Sequence, residues 1–435
     1  MNVIRYPKKE SWTEILARPT LDTKFLEKTV ANILQDVRQH GDVALKHCAR
    51  HFDKVELDEF LVTEAEFAEA EKNVSDELKA AINHAKSNIE KFHAAQKEEP
   101  QIIETTTGVF CWRKSVAIEK VGLYIPAGTA PLFSTVLMLA IPAQLAGCRE
   151  IILCSPPDTN GKINDVTLYT AKLCGVTQVF KSGGAQAIGA MAYGTESVPK
   201  VYKIFGPGNQ FVTEAKQQVT QTGTAIDMPA GPSEVAVLAD EMCIPSFVAA
   251  DLLSQAEHGV DSQVLLVTTS EKVIEETLIE IDKQLEELPR KNIAAAALKN
   301  SKALLAENFM QAIEILNEYA AEHLILAVEN ADEVAERVIN AGSVFIGNFS
   351  CESAGDYASG TNHTLPTNGY ARNYSGVSLN SFTKKITFQK LSETGILNLG
   401  KTIELMAEAE HLQGHKNAIS IRLAVINRDK KDGQG

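Results

Sequence analysis

The sequence predicts an α/β fold in which two incomplete doubly wound domains face one cleft, with a separate terminal region after them. Three observations carry that expectation. From residue 116 to 346 short apolar runs alternate with segments of helical period, the pattern of a parallel sheet with helices on its faces. The alternation comes in two series, 116–233 and 234–376, as two Rossmann-like sheets require. A length of 435 residues with 44% hydrophobic content is enough for at least two packed cores.

Taken in order, residues 1–22 read as an arm. Residues 23–97 read as helical, over 26–40, 43–51, 65–72 and 77–95, because apolar positions recur every three or four residues. Past Pro100 come extended runs over 101–105 and 109–113. In the first α/β series strands over 120–125, 151–154, 176–180, 201–205 and 223–226 are separated by helices over 134–146, 166–174, 185–193 and 210–219. The second series has strands over 235–239, 263–268, 324–328 and 343–346, with helices over 246–258, 274–288 and 332–340. Residues 349–376 are rich in Gly, Asn, Ser and Thr and too long for an ordinary connection, so they are expected to carry function. A long helix over 392–413, a strand over 418–425 and a disordered charged tail from Asn427 complete the expectation.

Composition excludes several classes. With no run of 18 apolar residues and no apolar signal core at its start, the chain is expected to be a soluble, cytoplasmic protein. Seven scattered cysteines without a C-x-x-C pair read as reduced thiols. A net charge of −14 without a basic stripe argues against nucleic acid or a membrane surface as partner.

Four groups of residues offer chemistry. In DLLSQAEHGVD, residues 251–261, a helix closing on Gly259 sets Gln255 and His258 on one face, an oxygen and an imidazole nitrogen for a divalent ion, with Glu257 and Asp261 near enough to orient them. A helix-end cap is the plainer alternative for His258. In EYAAEHLIL, residues 318–326, Glu322 and His323 stand directly before an apolar strand and can share proton transfer near neutral pH; the alternative is a His at a helix C-terminal dipole. The loop from Glu352 through Asp356 to His363 holds two carboxylates and a His, and Glu410 to His415 holds a fourth set. Separated oxygen and nitrogen donors without thiolates fit a catalytic metal better than a structural one. Three turns, Tyr124 to Gly128, Ser182 to Gln186 and Gly206 to Asn209, each join a strand to a helix and let backbone approach a phosphate, although plain turn chemistry asks for the same glycines.

The runs VGLYIPAGTAPLFSTVLMLAIPAQLAGC, GGAQAIGAMAYGTESVP, IFGPGNQFVTEAK, IDMPAGPSEV, LLSQAEHG, EHL, GDYASGTNHTLPT and HKNA, in this order, resemble histidinol dehydrogenase over nearly the whole chain. The resemblance implies an NAD-dependent oxidoreductase that takes L-histidinol through bound L-histidinal to L-histidine, the last step of histidine biosynthesis, using two NAD+ and one Zn2+ per subunit. It implies Gln255, His258, Asp356 and His415 as metal ligands, His415 coming from the other subunit of a homodimer with shared active sites. Glu322 and His323 match the catalytic pair; Ser233, His363 and Glu410 match substrate contacts, which the catalytic and metal residues share; Tyr124, Gln186 and Asn209 match NAD contacts. The domains expected are 1–22 as an arm with dimer contacts, 23–115 with 234–376 as the metal and catalytic domain, 116–233 as the NAD domain, and 377–435 as a dimerisation region reaching the partner.

Two rival classes remain at this point. A metal-dependent hydrolase would use Glu322 and His323 to activate water without NAD. A non-catalytic metal or nucleotide module would show no turnover. Within the dehydrogenase reading, Cys111, Cys148 or Cys154 offers a thiohemiacetal route, but nothing beside them in sequence lowers a thiol pKa.

Overall fold

A computed structural model describes residues 1–18, 23–127, 131–229 and 231–432. The chain divides into two units, residues 1–96 with 118–382, and residues 97–117 with 383–435. Its strands are β1 (Asn2–Arg5), β2 (Ile103–Thr106), β3 (Val109–Ala117), β4 (Lys120–Tyr124), β5 (Glu150–Ser155), β6 (Gln178–Lys181) and β7 (Lys203–Phe205). They continue as β8 (Ala225–Ile226), β9 (Glu234–Ala239), β10 (Gln263–Thr268), β11 (Lys302–Leu305), β12 (His323–Ala327), β13 (Ser343–Ile346) and β14 (Thr383–Leu391).

The first unit contains two parallel sheets. One runs β6-β5-β4-β7-β8 and the other β1-β11-β10-β9-β12-β13. Every residue of β9 and of β10 is buried, because helices cover both faces and such strands become continuous apolar runs instead of alternating ones. In each sheet the chain winds outward one way and then returns to the other side of its first strand, at β4/β7 and at β9/β12. These are the topological switch points around which ligand sites form. The expected doubly wound α/β class is what the structure has.

Helix packing assigns the leading residues. Thr23–His40 packs on Gly184–Tyr193, Glu64–Asn73 on Asp165–Leu173, and Asp76–Ala94 on Phe133–Ala146. Val30, Leu34 and Val37 are buried with Ala187 and Ile188, each such side chain contributing about 1.5–3 kcal/mol. Residues 23–94 therefore lie beside the five-stranded sheet, whereas the sequence reading grouped 23–115 with 234–376. An apolar helix face states that it is covered but not by which sheet. Three strands are absent from the sequence reading: the edge strand β1 and its neighbour β11, each only four residues long, pair with each other, β11 also joins β10, and β14 edges the antiparallel sheet.

The second unit is an antiparallel sheet, β14-β3-β2, with the helices Glu393–Ala409 and Gln413–Asp432 packed on each other. Here the structure corrects the strand expected over 418–425. Ile419, Ile421, Leu423 and Val425 alternate as a strand would, but the side chains turned inward are Ile419, Leu423 and Ile426, spaced three and four apart, and Leu423 packs against Gly400 of the preceding helix. The same helix replaces the disorder expected from Asn427 as far as Asp432; residues 433–435 lie outside the described residues. Among the described residues no helix is long and apolar enough to cross a membrane.

Candidate active site and metal centre

The residues expected to ligate a metal come from the end of one helix, the turn after it and a second helix of six residues. Gln255 lies in the last turn of Pro245–Ala256 and is fully buried. His258 is not on that helix, as expected, but just past it, where its N–H donates to the Gln255 carbonyl at 3.2 Å. A tight turn, not a shared helix face, brings the two together. On the helix Glu352–Tyr357, Glu352 and Asp356 are one turn apart and point the same way. His258, Glu352 and Asp356 each present a ligand atom within 4.8 Å of the others. Both polar atoms of the Gln255 side chain, Oε2 of Glu352 and Oδ1 of Asp356 are buried without a hydrogen-bond partner. An unpaired buried polar atom costs about 1–3 kcal/mol, so the Glu352 and Asp356 oxygens left without donors beside His258 fit a bound cation, and oxygen and nitrogen donors suit zinc; Gln255 Oε1 is a further unpaired oxygen on the adjoining helix. Crowding around the His258 ring lowers its pKa despite Asp356, which favours the neutral, ligating imidazole although the residue as a whole is exposed. Burial acts to raise Asp356, but His323, His363 and His258 outweigh it and hold the carboxylate below its usual range.

Glu322 and His323 stand at the start of β12, Glu322 just before its first residue. His323 is paired in register with Val235 of β9 and Ser343 of β13, and the site therefore sits at the amino edge of the six-stranded sheet. Nε2 of His323 is 3.3 Å from Asp356 Oδ1, and its Nδ1 is 3.7 Å from Glu322 Oε2 and 3.9 Å from Glu352 Oε1. These are charge contacts and not aligned hydrogen bonds, since both ring nitrogens lack a hydrogen-bond partner. Burial alone would lower His323; the carboxylates of Glu352, Glu322 and Asp356 overcome it and raise the ring to about 10. Burial likewise pushes Glu322 up to about 8, within reach of proton transfer near neutrality. His363 has both nitrogens engaged: Nδ1 donates to the Asp356 carbonyl at 2.9 Å, which leaves Nε2 to accept from the Thr135 hydroxyl at 3.0 Å.

The cleft beside this cluster has a volume of about 720 Å³, inside the range of small-molecule and cofactor sites. Tyr124, Gln186 and Asn209 all line it, at the carboxyl ends of β4, β6 and β7. The Tyr124 hydroxyl accepts the Gly184 N–H at 3.1 Å, and Asn209 caps its helix by accepting the Val212 N–H at 3.1 Å. Between β7 and that helix, Gly206 has a φ of +128°, and a Cβ there would run into the Tyr124 carbonyl. Gly128 lies outside the described residues. His258 and Glu257 line the same cleft from the six-stranded side.

His258, Glu322, His323, Asp356 and His363 are thus brought together, Gln255 lies buried on the helix packed against Glu352–Tyr357, and Tyr124, Gln186 and Asn209 share one cleft. Ser233 precedes β9 and lines a small hollow with Arg18 and Asp261. Glu410 and His415 belong to the second unit, where both are exposed. Two groups went without a role in the sequence: Glu352, whose spacing of four from Asp356 was the available signal, and Asp251, which burial raises to about 7 and whose charge reaches Glu352. All seven cysteines are free, and burial pushes Cys148 and Cys154 up to about 12, which removes the thiolate that a thiohemiacetal route needs.

A doubly wound fold with a cofactor-sized cleft opening beside a buried carboxylate–imidazole pair defines an α/β enzyme. The family model described as histidinol dehydrogenase matches residues 16–423. The chain is 61% identical over 428 residues to the histidinol dehydrogenase of Bacteroides fragilis strain YCH46, covering 98% of this chain and 100% of that one. With that of Bacteroides thetaiotaomicron it shares 61% over 426 residues, again 98% and 100% of the two chains. The crystal structure of histidinol dehydrogenase from Elizabethkingia anophelis superposes with a TM-score of 0.95 at 56% identity, covering 98% and 99%. The chain belongs to the histidinol dehydrogenase family. The hydrolase alternative falls with this, since the matched family and these relatives are dehydrogenases.

Proposed function

We propose that the chain oxidises L-histidinol through L-histidinal to L-histidine with two NAD+ and one Zn2+ per subunit, as a cytoplasmic homodimer with shared active sites. The observation that carries this reading is the convergence of His258, Glu352 and Asp356 on His323 and Glu322 beside the cleft lined by Tyr124, Gln186 and Asn209, with Gln255 buried on the neighbouring helix. Gln255, His258 and Asp356, with His415 of the partner subunit, would hold the zinc. When bound there, zinc would supply a Lewis-acidic anchor for the substrate, without redox chemistry of its own.

His323 would accept the hydroxyl proton in its neutral form, which the surrounding carboxylates oppose near neutral pH until a cation held at Asp356 offsets them. As it does so, hydride leaves the carbinol carbon for the nicotinamide ring, giving aldehyde and NADH. Glu322 then takes a proton from water as the oxygen adds to the aldehyde, and hydride leaves the resulting hydrate for a second NAD+, giving the carboxylate. Substrate contacts are assigned to Ser233, His363 and Glu410. Holding the aldehyde between steps keeps a reactive intermediate from solvent. Residues 116–233 serve as the NAD wall and 234–376 carry the metal and catalytic groups. Residues 1–22 and 377–435 make the dimer, for which the exposed Leu405, Met406, Leu412, Ile421 and Val425 are suitable surface. The free cysteines suit a reducing compartment.

The test is NADH formation from L-histidinol by purified protein, before and after chelation and zinc addition, with the product identified. Two NADH per histidine, lost on chelation and restored by zinc, is expected. A folded, zinc-loaded protein that forms no NADH would sink the reading.

A further inference from the structure

The cleft lining includes residues that the mechanism does not use. Thr29 and Ile33 come from the helix Thr23–His40, and Phe52 and Asp53 from the π-helical turn Ala49–Asp53, which ends against Lys54 in the left-handed conformation. Such turns insert a residue into helical winding and often mark functional positions. The Asp53 side chain makes no hydrogen bond or ion pair among the described residues. Burial pushes it up to about 6 with no cation opposing, and its charge reaches the Tyr124 phenol, which places it on the wall built on the five-stranded sheet. A half-buried carboxylate without protein donors is suited to donors brought by a ligand.

The rest of the lining says which donors. If one end of a dinucleotide reaches the carbinol carbon beside His323, its adenosine half runs along the remaining wall. There Ile33, Phe52 and Phe211 offer apolar faces to a purine. The only Lys or Arg among the described lining residues is Arg290, on the opposite wall, directed at the His258 carbonyl at 3.5 Å. A 2′-phosphate beside Asp53 would find a like charge, and the adjacent Lys54 is turned away to the His51 carbonyl at 2.7 Å, whereas a ribose diol presents two hydroxyl donors to a carboxylate. We propose that Asp53 binds the adenosine ribose of the cofactor and is the residue that makes this site select NAD over NADP. The inference rests on the NAD-dependent reading above. It is not readable from a dinucleotide fingerprint, because Asp53 comes from outside the sheet that carries the glycine turns.

The experiment measures kcat/KM for NAD and for NADP with saturating L-histidinol, in the wild-type zinc enzyme, Asp53→Ala and the nearly isosteric Asp53→Asn. The expected result is a loss of at least about tenfold with NAD in both variants, carried by KM, as for a lost hydrogen bond to a charged group. NADP should improve or hold, so that the NAD/NADP ratio falls by about a hundredfold in Asp53→Ala, while KM for L-histidinol stays unchanged. An unchanged ratio, or an equal loss with both cofactors, overturns the assignment even if the variants fold. If wild type turns over with neither cofactor, the NAD-dependent reading fails and takes this one with it, an outcome distinct from an unchanged ratio in an active enzyme.

Discussion

The backbone N–H of Glu234 donates to Oε2 of Glu322 at 3.0 Å, so the first residue of β9 holds the carboxylate that precedes β12. Glu234 is itself fixed: its carboxylate receives Arg18 at 2.5 and 2.8 Å, and that guanidinium lies 4.0 Å over the Tyr319 ring. An amide at position 322 can accept the same N–H but cannot take a proton from water. Glu322→Gln is therefore expected to fold, to keep the oxidation of added L-histidinol within about tenfold, and to lose roughly 10²–10⁴-fold on added L-histidinal. Equal losses in the two half-reactions would assign Glu322 to both steps and remove the division of labour with His323.

A second carboxylate fixes the turn after β7. Asp227 Oδ2 accepts the Gly206 N–H at 2.8 Å, its Oδ1 is 2.5 Å from Lys216 Nζ, and Lys216 donates to the Gly206 carbonyl at 2.9 Å. Both charged side chains are at most 2% exposed. Removing one member leaves a buried charge unpaired, so Lys216→Met is expected to cost about 3–5 kcal/mol in denaturant unfolding, and Lys216→Met with Asp227→Leu to recover part of that. A loss under about 1 kcal/mol would mean that water compensates the carboxylate and that the turn does not depend on the pair.

The donor set can be tested without turnover. His258→Asn should lower bound zinc, measured by elemental mass spectrometry after dialysis, by at least about tenfold, because it removes the imidazole nitrogen from the cluster. Glu352→Gln should retain zinc if Glu352 serves His323 and not the metal. Zinc lost from Glu352→Gln but kept by His258→Asn would reverse the two assignments.

The strands that position the site were legible because both faces of a parallel sheet are covered, and burial writes itself into VLLV and LILA as unbroken apolar runs. Glu322 and His323 stood out by standing at the start of such a run. What periodicity could not supply was which surfaces meet. The apolar face of residues 23–40 reads the same whichever sheet it covers, and 418–425 carries a period of two that packing on Gly400 overrides. Arg18 and Glu234, 216 residues apart, form a buried pair that no local pattern announces. Asp53 was invisible for a different reason: a lone acid past a helix means nothing until Tyr124 is seen beside it.

The position of Asp53 also predicts a pH dependence. The groups coupled to it, Tyr124 and Cys48, are pushed up to about 12 and about 11 and stay neutral throughout the working range. Asp53 itself is raised to about 6, so its charged form is lost as pH falls through that value. If the charged form binds NAD, KM for NAD should rise about tenfold between pH 7 and pH 5, by the fraction of competent enzyme, and Asp53→Asn should flatten that rise. Identical profiles in the two proteins would place the pH dependence elsewhere.

Shared active sites make a prediction that no single-chain property can mimic. His415 and Glu322 are both required for one complete site, but under the proposed dimer they reach it from different subunits. In a mixed dimer of His415→Asn and Glu322→Gln chains, one site carries both defects and the other carries none. Random reassociation of the two inactive variants should thus restore about a quarter of wild-type conversion of L-histidinol to L-histidine, since half of the dimers are mixed and half of their sites are intact. Each variant reassociated with itself is the control and should stay inactive. If the mixture stays inactive while native mass spectrometry shows mixed dimers, His415 acts within its own chain, and the exposed helix that carries it has another role.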